Sequence, residues 1–203
     1  MINLTDKEIL EYFKYMQEKE KHRAKALFFK LQYYYARRSE EIVRLNMEDI
    51  DLNNNSISLH IVKKKVETRL DDILLLEDIK RDLIDHIERN KLKPNDYIFI
   101  EAKLGDNEKT IKKLKDNYKR NLRDYLDRNS PKDIKKLFNK DVTLGTHDFR
   151  RLGGQQLYLK GVDLEILQKL YYHDDLNQTI DYLQIQELEI NNMLMKYREL
   201  EKD

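Results

Sequence analysis

The sequence predicts a mostly α-helical fold carrying one small antiparallel β-sheet, α+β in class. Three observations carry that expectation. Only two prolines and five glycines interrupt 203 residues. Apolar residues recur at three- and four-residue spacing through most of the chain. The stretch from Ile57 to Val62 switches instead to strict alternation.

Thr5-Asp6-Lys7-Glu8 opens the first helix as a capping box, with the Thr5 hydroxyl and the Glu8 carboxylate each satisfying a backbone amide. Ile9, Leu10, Phe13 and Met16 follow at helical spacing. A second helix is predicted over His22 to Ala36, with Ala26, Leu27, Phe28, Leu31 and Tyr35 inward, and a third from Glu40 to Leu45. Asn53-Asn54-Asn55 marks a turn. Ile57, Leu59 and Ile61 then form the buried face of a strand, Lys63-Lys64-Lys65 a hairpin tip, and Thr68 to Leu75 the returning strand. Ile79 to Ile87 reads as a helix, Tyr97 to Ile100 as a short strand or buried turn, and Lys109 to Arg128 as a long basic helix. A break is expected at Asn129-Ser130-Pro131, with helices filling the remainder to Leu200. No repeat or Gly/Ser linker divides the chain, so residues 1–203 are expected to form one domain.

Composition narrows the function classes. Hydrophobic residues make up 40% of the chain, enough for a sizeable core, and charged residues 38%. Mean hydropathy is −0.83 and no long apolar run is present, which leaves no transmembrane candidate. Met1 to Asp6 lack a basic stretch followed by an apolar one, so a cytosolic protein is expected. The absence of cysteine removes disulfides, thiolate nucleophiles and cysteine zinc sites. The five histidines show no metal-ligand spacing, and no metal site is expected. A net charge of +1 names no partner, because a basic face can hide within a balanced total.

Four islands carry the chemistry: Arg38 with Glu41 and Asp49-Ile50-Asp51; the lysines at the hairpin tip; His147 and Arg150, one helical turn apart; and Gly161, Asp163, Gln168, His173 and Tyr182. Arginine, lysine, histidine and tyrosine with no carboxylate pair suit phosphoryl transfer by a protein nucleophile. Guanidinium groups grip two phosphate oxygens in a planar fork and stabilise charge growing on phosphorus. A phenol with a pKa near 10 needs a base and a positive neighbourhood before it attacks. A lysine on a hairpin can protonate a leaving oxygen.

These islands resemble the phage integrase, or tyrosine recombinase, family. Arg38, Glu41, Ile42, Leu45 and Asp49-Ile50-Asp51 stand in the register of its first arginine box. His147, Arg150, Gly161, Asp163, Gln168, Leu170, His173 and Tyr182 fill the second without a gap, and Thr179 falls where the family often has threonine. Three departures stand out: Ala36-Arg37 replaces the usual Thr-Gly before the first arginine, the usual Leu-Gly-His is Tyr171-Tyr172-His173, and Arg150-Arg151-Leu152-Gly153 replaces Arg-His-Thr-Phe. Tyr172 in place of glycine is expected to alter the packing behind His173.

The resemblance implies the family's catalytic-domain fold and a site-specific recombinase or integrase. Tyr182 would attack a DNA phosphate to form a 3′-phosphotyrosine. Arg38 and Arg150, with His173, would hold the non-bridging oxygens, and His147 would serve as acid and base. Lys63 would protonate the leaving oxygen, and Glu41 would orient the arginines. Neither metal, ATP nor other cofactor is implied. Double-stranded DNA is the implied partner, with self-association on it. The family's N-terminal DNA-clamping domain is expected to be absent from this chain. A topoisomerase of type IB and a DNA-binding relative with an idle site are the alternatives.

Two assignments stay open. Alternation puts Lys63 on the face of Ile57, Leu59 and Ile61, which makes it the first choice, but hairpin register leaves Lys64 and Lys65 eligible. Lys112, Lys113, Lys119 and Arg120 on the basic helix, with Arg151 and the tip lysines, are candidate phosphate contacts. They equally fit a solvated face balanced by Asp116 and Asp124.

Overall fold

The structure, a computed structural model, describes residues 2, 4–63 and 66–200. Nine α-helices and a three-stranded sheet are found among the described residues. Helix α1 (Asp6–Glu18) starts at the expected capping box, with Glu8 N–H donating to the Thr5 hydroxyl at 3.2 Å and Thr5 N–H to the Glu8 carboxylate at 2.7 Å. Helix α2 (Arg23–Tyr35) is buried on nearly every side and packs against α1, against α4 (Glu77–Asn90) and against α6 (Asp148–Leu159). It is the axle of the main core. Phe149 of α6 stacks on Phe29 at 4.5 Å and on Phe13 of α1 at 5.5 Å. Gly153 permits that approach, because a Cβ there would run into the backbone carbonyl of Tyr33.

Short helix α3 (Ser39–Ile42) leads to strands β1 (Ile50–Asp51), β2 (Ser56–Lys63) and β3 (Val66–Leu74), antiparallel in the order β1-β2-β3. Ile57, Leu59 and Ile61 are all buried, as alternation predicts. The fully buried Asp49 carboxylate anchors the hairpin, meeting His60 Nε2 of β2 at 2.9 Å and Arg69 of β3 at 3.1 Å while accepting from Asn46 N–H at 3.0 Å. Strand β1 is too short to be read from sequence. Tyr97 to Ile100 resolves as the buried turn, tied to the main core by Ile98 N–H donating to Leu45 O at 2.9 Å.

The expected break at Asn129-Ser130-Pro131 does not occur. Helix α5 runs unbroken from Glu108 to Phe138 with Pro131 inside it. Proline there forfeits one backbone bond, at a cost of about 3 kcal/mol. Leu126 and Ile134, fully buried on either side, draw both halves onto the core and offset it. Ser130 faces inward, its hydroxyl accepting from Leu144 N–H at 2.9 Å.

Helices α7 (Leu164–Tyr171), α8 (Leu176–Leu183) and α9 (Ile185–Leu200) complete the chain. A second, smaller apolar cluster of Ala36, Leu167, Tyr171, Leu183 and Ile185 seats α7 and α8 on the end of α2. Gly153→Ala is predicted to lower unfolding free energy in urea by about 3 kcal/mol, because overpacking a backbone contact forces α2 and α6 apart; a loss under 0.5 kcal/mol contradicts that account.

Candidate active site

The site is organised around the C-terminus of α7. Tyr172 turns left-handed there (φ 55°), and the helix closes with Tyr172 N–H on Lys169 O and His173 N–H on Gln168 O, both at 3.1 Å. The last two carbonyls of α7, those of Leu170 and Tyr171, have no helical donor. Arginines from two distant segments take them. Arg37 donates to Leu170 O while its Nε donates to Tyr35 O at 2.7 Å, and Arg150 donates to Tyr171 O at 3.0 Å. Both are 2% exposed, and both sit at the negative end of a helix dipole. The Tyr172 ring lies 5.5 Å from the Arg37 guanidinium.

Arg150 is also sandwiched by aromatics. Its guanidinium lies 4.6 Å from the Tyr171 ring centre and 5.5 Å from that of Tyr182. Burial brings its pKa down to about 10, so it stays charged at neutral pH. Its Nε is buried without a hydrogen-bond partner among the described residues. Such an orphaned donor on a desolvated cation is ready for an anionic ligand.

Tyr182 is half-buried on α8, its ring 5.5 Å from His173 and 5.4 Å from Tyr171, and its hydroxyl donates to His147 O at 3.3 Å. Desolvation raises its phenol above the ordinary value despite the pull of Arg150, Arg151 and Arg38, so the resting phenol is protonated. His147 caps the start of α6; desolvation, then the Arg150 charge, lowers its imidazole pKa, which keeps it neutral and able to accept a proton at pH 7. His173 Nδ1 lies 3.0 Å from the buried Thr179 hydroxyl, and Gln168 donates to His173 O at 3.3 Å.

Arg38 enters from the other side, half-buried at the start of α3. The buried Glu41 carboxylate accepts from Arg38 N–H at 2.7 Å, from its guanidinium at 3.3 Å and from Val62 N–H of β2 at 3.2 Å. Glu41 therefore joins the first arginine to the strand that ends at Lys63. Lys63 pairs in register with Val66; Lys64 and Lys65 lie outside the described residues, so the choice among the three lysines stays as the sequence left it.

The basic face of α5 borders this cluster. One groove is lined by Arg38, Lys119, Arg120, Arg123, Thr146 and His147, and shares Glu40 and Asp116 with a second groove holding Arg44, Lys109, Lys112 and Lys115. Lys112, Lys113 and Arg120 are exposed. Lys119 is engaged by Glu40 and by Asp116 at 3.0 Å, and Arg151 by Asp148. The structure thus brings Tyr182, Arg150, His147, His173, Arg38 and Glu41 together, with the α5 cations alongside. Arg37 and Tyr171 were missed by sequence reasoning. Their only signal was the departure from Leu-Gly-His and a second arginine beside Arg38.

A mostly helical fold with one small three-stranded antiparallel sheet, and arginines from separate segments beside a tyrosine, match the fold of a tyrosine recombinase catalytic domain. The sequence profile of the phage integrase family matches residues 3–189, and the chain belongs to that family. A crystal structure of XerA recombinase is 18% identical and superposes with a TM-score of 0.64 over 98% of this chain and 65% of its own. The Tn1549 transposon integrase in complex with transposon right end DNA is 15% identical, at 0.63 over 93% and 65%. XerH site-specific recombinase bound to difH substrate, in a pre-cleavage complex, is 20% identical, at 0.62 over 88% and 49%. The chain spans less than two thirds of the length of each. No curated protein matches it in sequence.

Glu41→Ala is predicted to cost about 2 kcal/mol in thermal or urea unfolding, since it strands one charged and two backbone donors; a neutral result would show that Arg38 and β2 are held by something else.

Proposed function

We propose that this chain is the strand-cleaving and strand-joining portion of a DNA recombinase or integrase, working through a 3′-phosphotyrosine at Tyr182. The observation that carries this reading is the buried Arg150, charged, with an unpartnered Nε and its guanidinium beside the Tyr182 ring. Tyr182 Oη attacks a backbone phosphorus and the P–O5′ bond breaks. The phenol proton passes to His147, and the leaving oxygen takes one from Lys63. Arg38, Arg150 and His173 hold the non-bridging oxygens as negative charge builds. The exchange conserves one phosphodiester bond, so it balances without ATP or a redox partner, and the arginines supply the charge a metal would otherwise bring.

Double-stranded DNA then lies along the basic face of α5, where Lys112, Lys113 and Arg120 meet phosphates. The related recombinases solved with DNA support that partner class. Self-association on DNA is the companion proposal, supported by α9, which leaves Ile190, Met193, Leu194 and Tyr197 more than half exposed. Among the described residues no helix is long and apolar enough to cross a membrane; an action on DNA places the protein with the cytoplasmic nucleoid.

A nicked suicide duplex, from which the short fragment bearing the freed 5′ hydroxyl diffuses away, tests the chemistry. Wild type is predicted to accumulate a covalent adduct, Tyr182→Phe none, and Arg150→Ala to be slower by about 1,000-fold. An undiminished adduct in Tyr182→Phe overturns the assignment. Cleavage should slow only at a pH below the ordinary imidazole range, because burial and Arg150 lower the His147 pKa, as His147 takes up the proton it must be free to accept. That limb should vanish in His147→Ala; a pH profile identical to wild type in this variant removes His147 from the role.

A further inference from the structure

We infer that Tyr171 is a positioning residue for strand cleavage: its ring is the floor that sets the Arg150 guanidinium against the Tyr182 phenol. The inference rests on the phosphotyrosine reading above and adds a residue that neither chemistry nor sequence register nominated.

Tyr171 is fully buried, and three sides of it are used. Its ring face lies 4.6 Å from the Arg150 guanidinium, and its hydroxyl donates to Arg150 O at 2.5 Å, so one side chain grips both ends of the same arginine. Its own carbonyl accepts from Arg150 at 3.0 Å. Its ring also meets those of Tyr182 and His173, each at 5.4 Å. Gly154 leaves the space: a Cβ there would collide with the Tyr171 hydroxyl and ring. Burial pushes the Tyr171 phenol up, and its proton is committed to a carbonyl, so it does not compete as a nucleophile.

The physical need is plain. A desolvated guanidinium with an unpartnered Nε has lost hydration that something must replace. The quadrupole of a tyrosine face does so without occupying the N–H donors that a phosphate requires. A carboxylate in that place would neutralise the cation and block the fork. Leucine, the family's usual residue at this place, offers no ring face, so in this chain, where Arg150 is seated on the Tyr171 ring and hydroxyl, it would leave the guanidinium free to reorient. Misplacement by about 1 Å at such a group costs on the order of 100-fold in rate.

The test uses the full chain with two independent readouts. The first is single-turnover cleavage of the nicked suicide duplex at saturating DNA. The second, made without DNA, is the phenol titration of Tyr182 by fluorine NMR after 3-fluorotyrosine incorporation, which lowers phenol pKa values into the range where the protein is folded. Tyr182→Phe identifies the resonance. The groups facing that phenol are Arg38, His147, Asp148, Arg150, Arg151, Tyr171 and His173. Tyr171→Leu should slow cleavage about 100-fold at an unchanged DNA Kd. It should also raise the Tyr182 phenol by about one pH unit as Arg150 swings away. Tyr171→Phe, which keeps the ring, should rescue the rate to within about threefold and leave the titration in place. Tyr171→Met substitutes should the leucine variant not fold.

A leucine variant with wild-type rate and titration overturns the proposal. So does a slow variant whose Tyr182 titration is unmoved, since general loosening gives that result. If wild type forms no adduct but the titration shifts as stated, the phosphotyrosine reading and the role in cleavage fall, and only the placement of Arg150 against Tyr182 by Tyr171 stands.

Discussion

Everything at this site depends on how two arginines are held without being used up. A buried guanidinium must recover the hydration it loses, and the direct route, pairing with a carboxylate, would consume the fork that a phosphate needs. This chain takes another route. The terminal carbonyls of α7 accept from Arg37 and Arg150, and aromatic faces cover the cations. Arg38 keeps a carboxylate, Glu41, but shares it with two backbone amides and is itself only half-buried. A helix end thus draws the first and second arginine segments, far apart in sequence, onto one locus with His173 directly following.

Packing supports that locus from behind. Gly153 lets α6 lie on α2, and Gly154, next along the helix, admits Tyr171. The adjacent glycines therefore serve two different neighbours. The second apolar cluster ties α7 and α8 to Ala36 at the end of α2, so Tyr182 and Arg37 are placed by the same small core. On the far side, Asp49 locks the hairpin through His60 and Arg69, and Glu41 connects its end to Arg38. The hairpin and the first arginine are in this way joined through one carboxylate.

The parts of the fold governed by local rules were legible in the sequence. The Thr5–Glu8 capping box, the alternation of Ile57, Leu59 and Ile61, and the periodic faces of α2 and α4 each depend on neighbours a few residues away. The candidate site residues Arg38, His147, Arg150, His173 and Tyr182 were nominated by type and register, and the structure brings them together. What was not legible depends on tertiary context. Pro131 looked like a stop, yet burial of Leu126 and Ile134 carries α5 through it. The left-handed end of α7 falls on Tyr172, where no glycine advertises it. Tyr171 was one tyrosine of thirteen, and its contact with Arg150 exists only once α6 and α7 are packed.

We propose Tyr182 as the nucleophile, in preference to the two tyrosines just before His173. Mass mapping of the trapped DNA–protein adduct addresses it most directly. Cleavage before aspartate divides the chain at Asp174, Asp175 and Asp181, which separates Tyr171 and Tyr172 from Tyr182. The account predicts a nucleotide on the fragment that begins at Asp181, with fragmentation placing it on Tyr182. A nucleotide on Tyr171 or Tyr172 would contradict it.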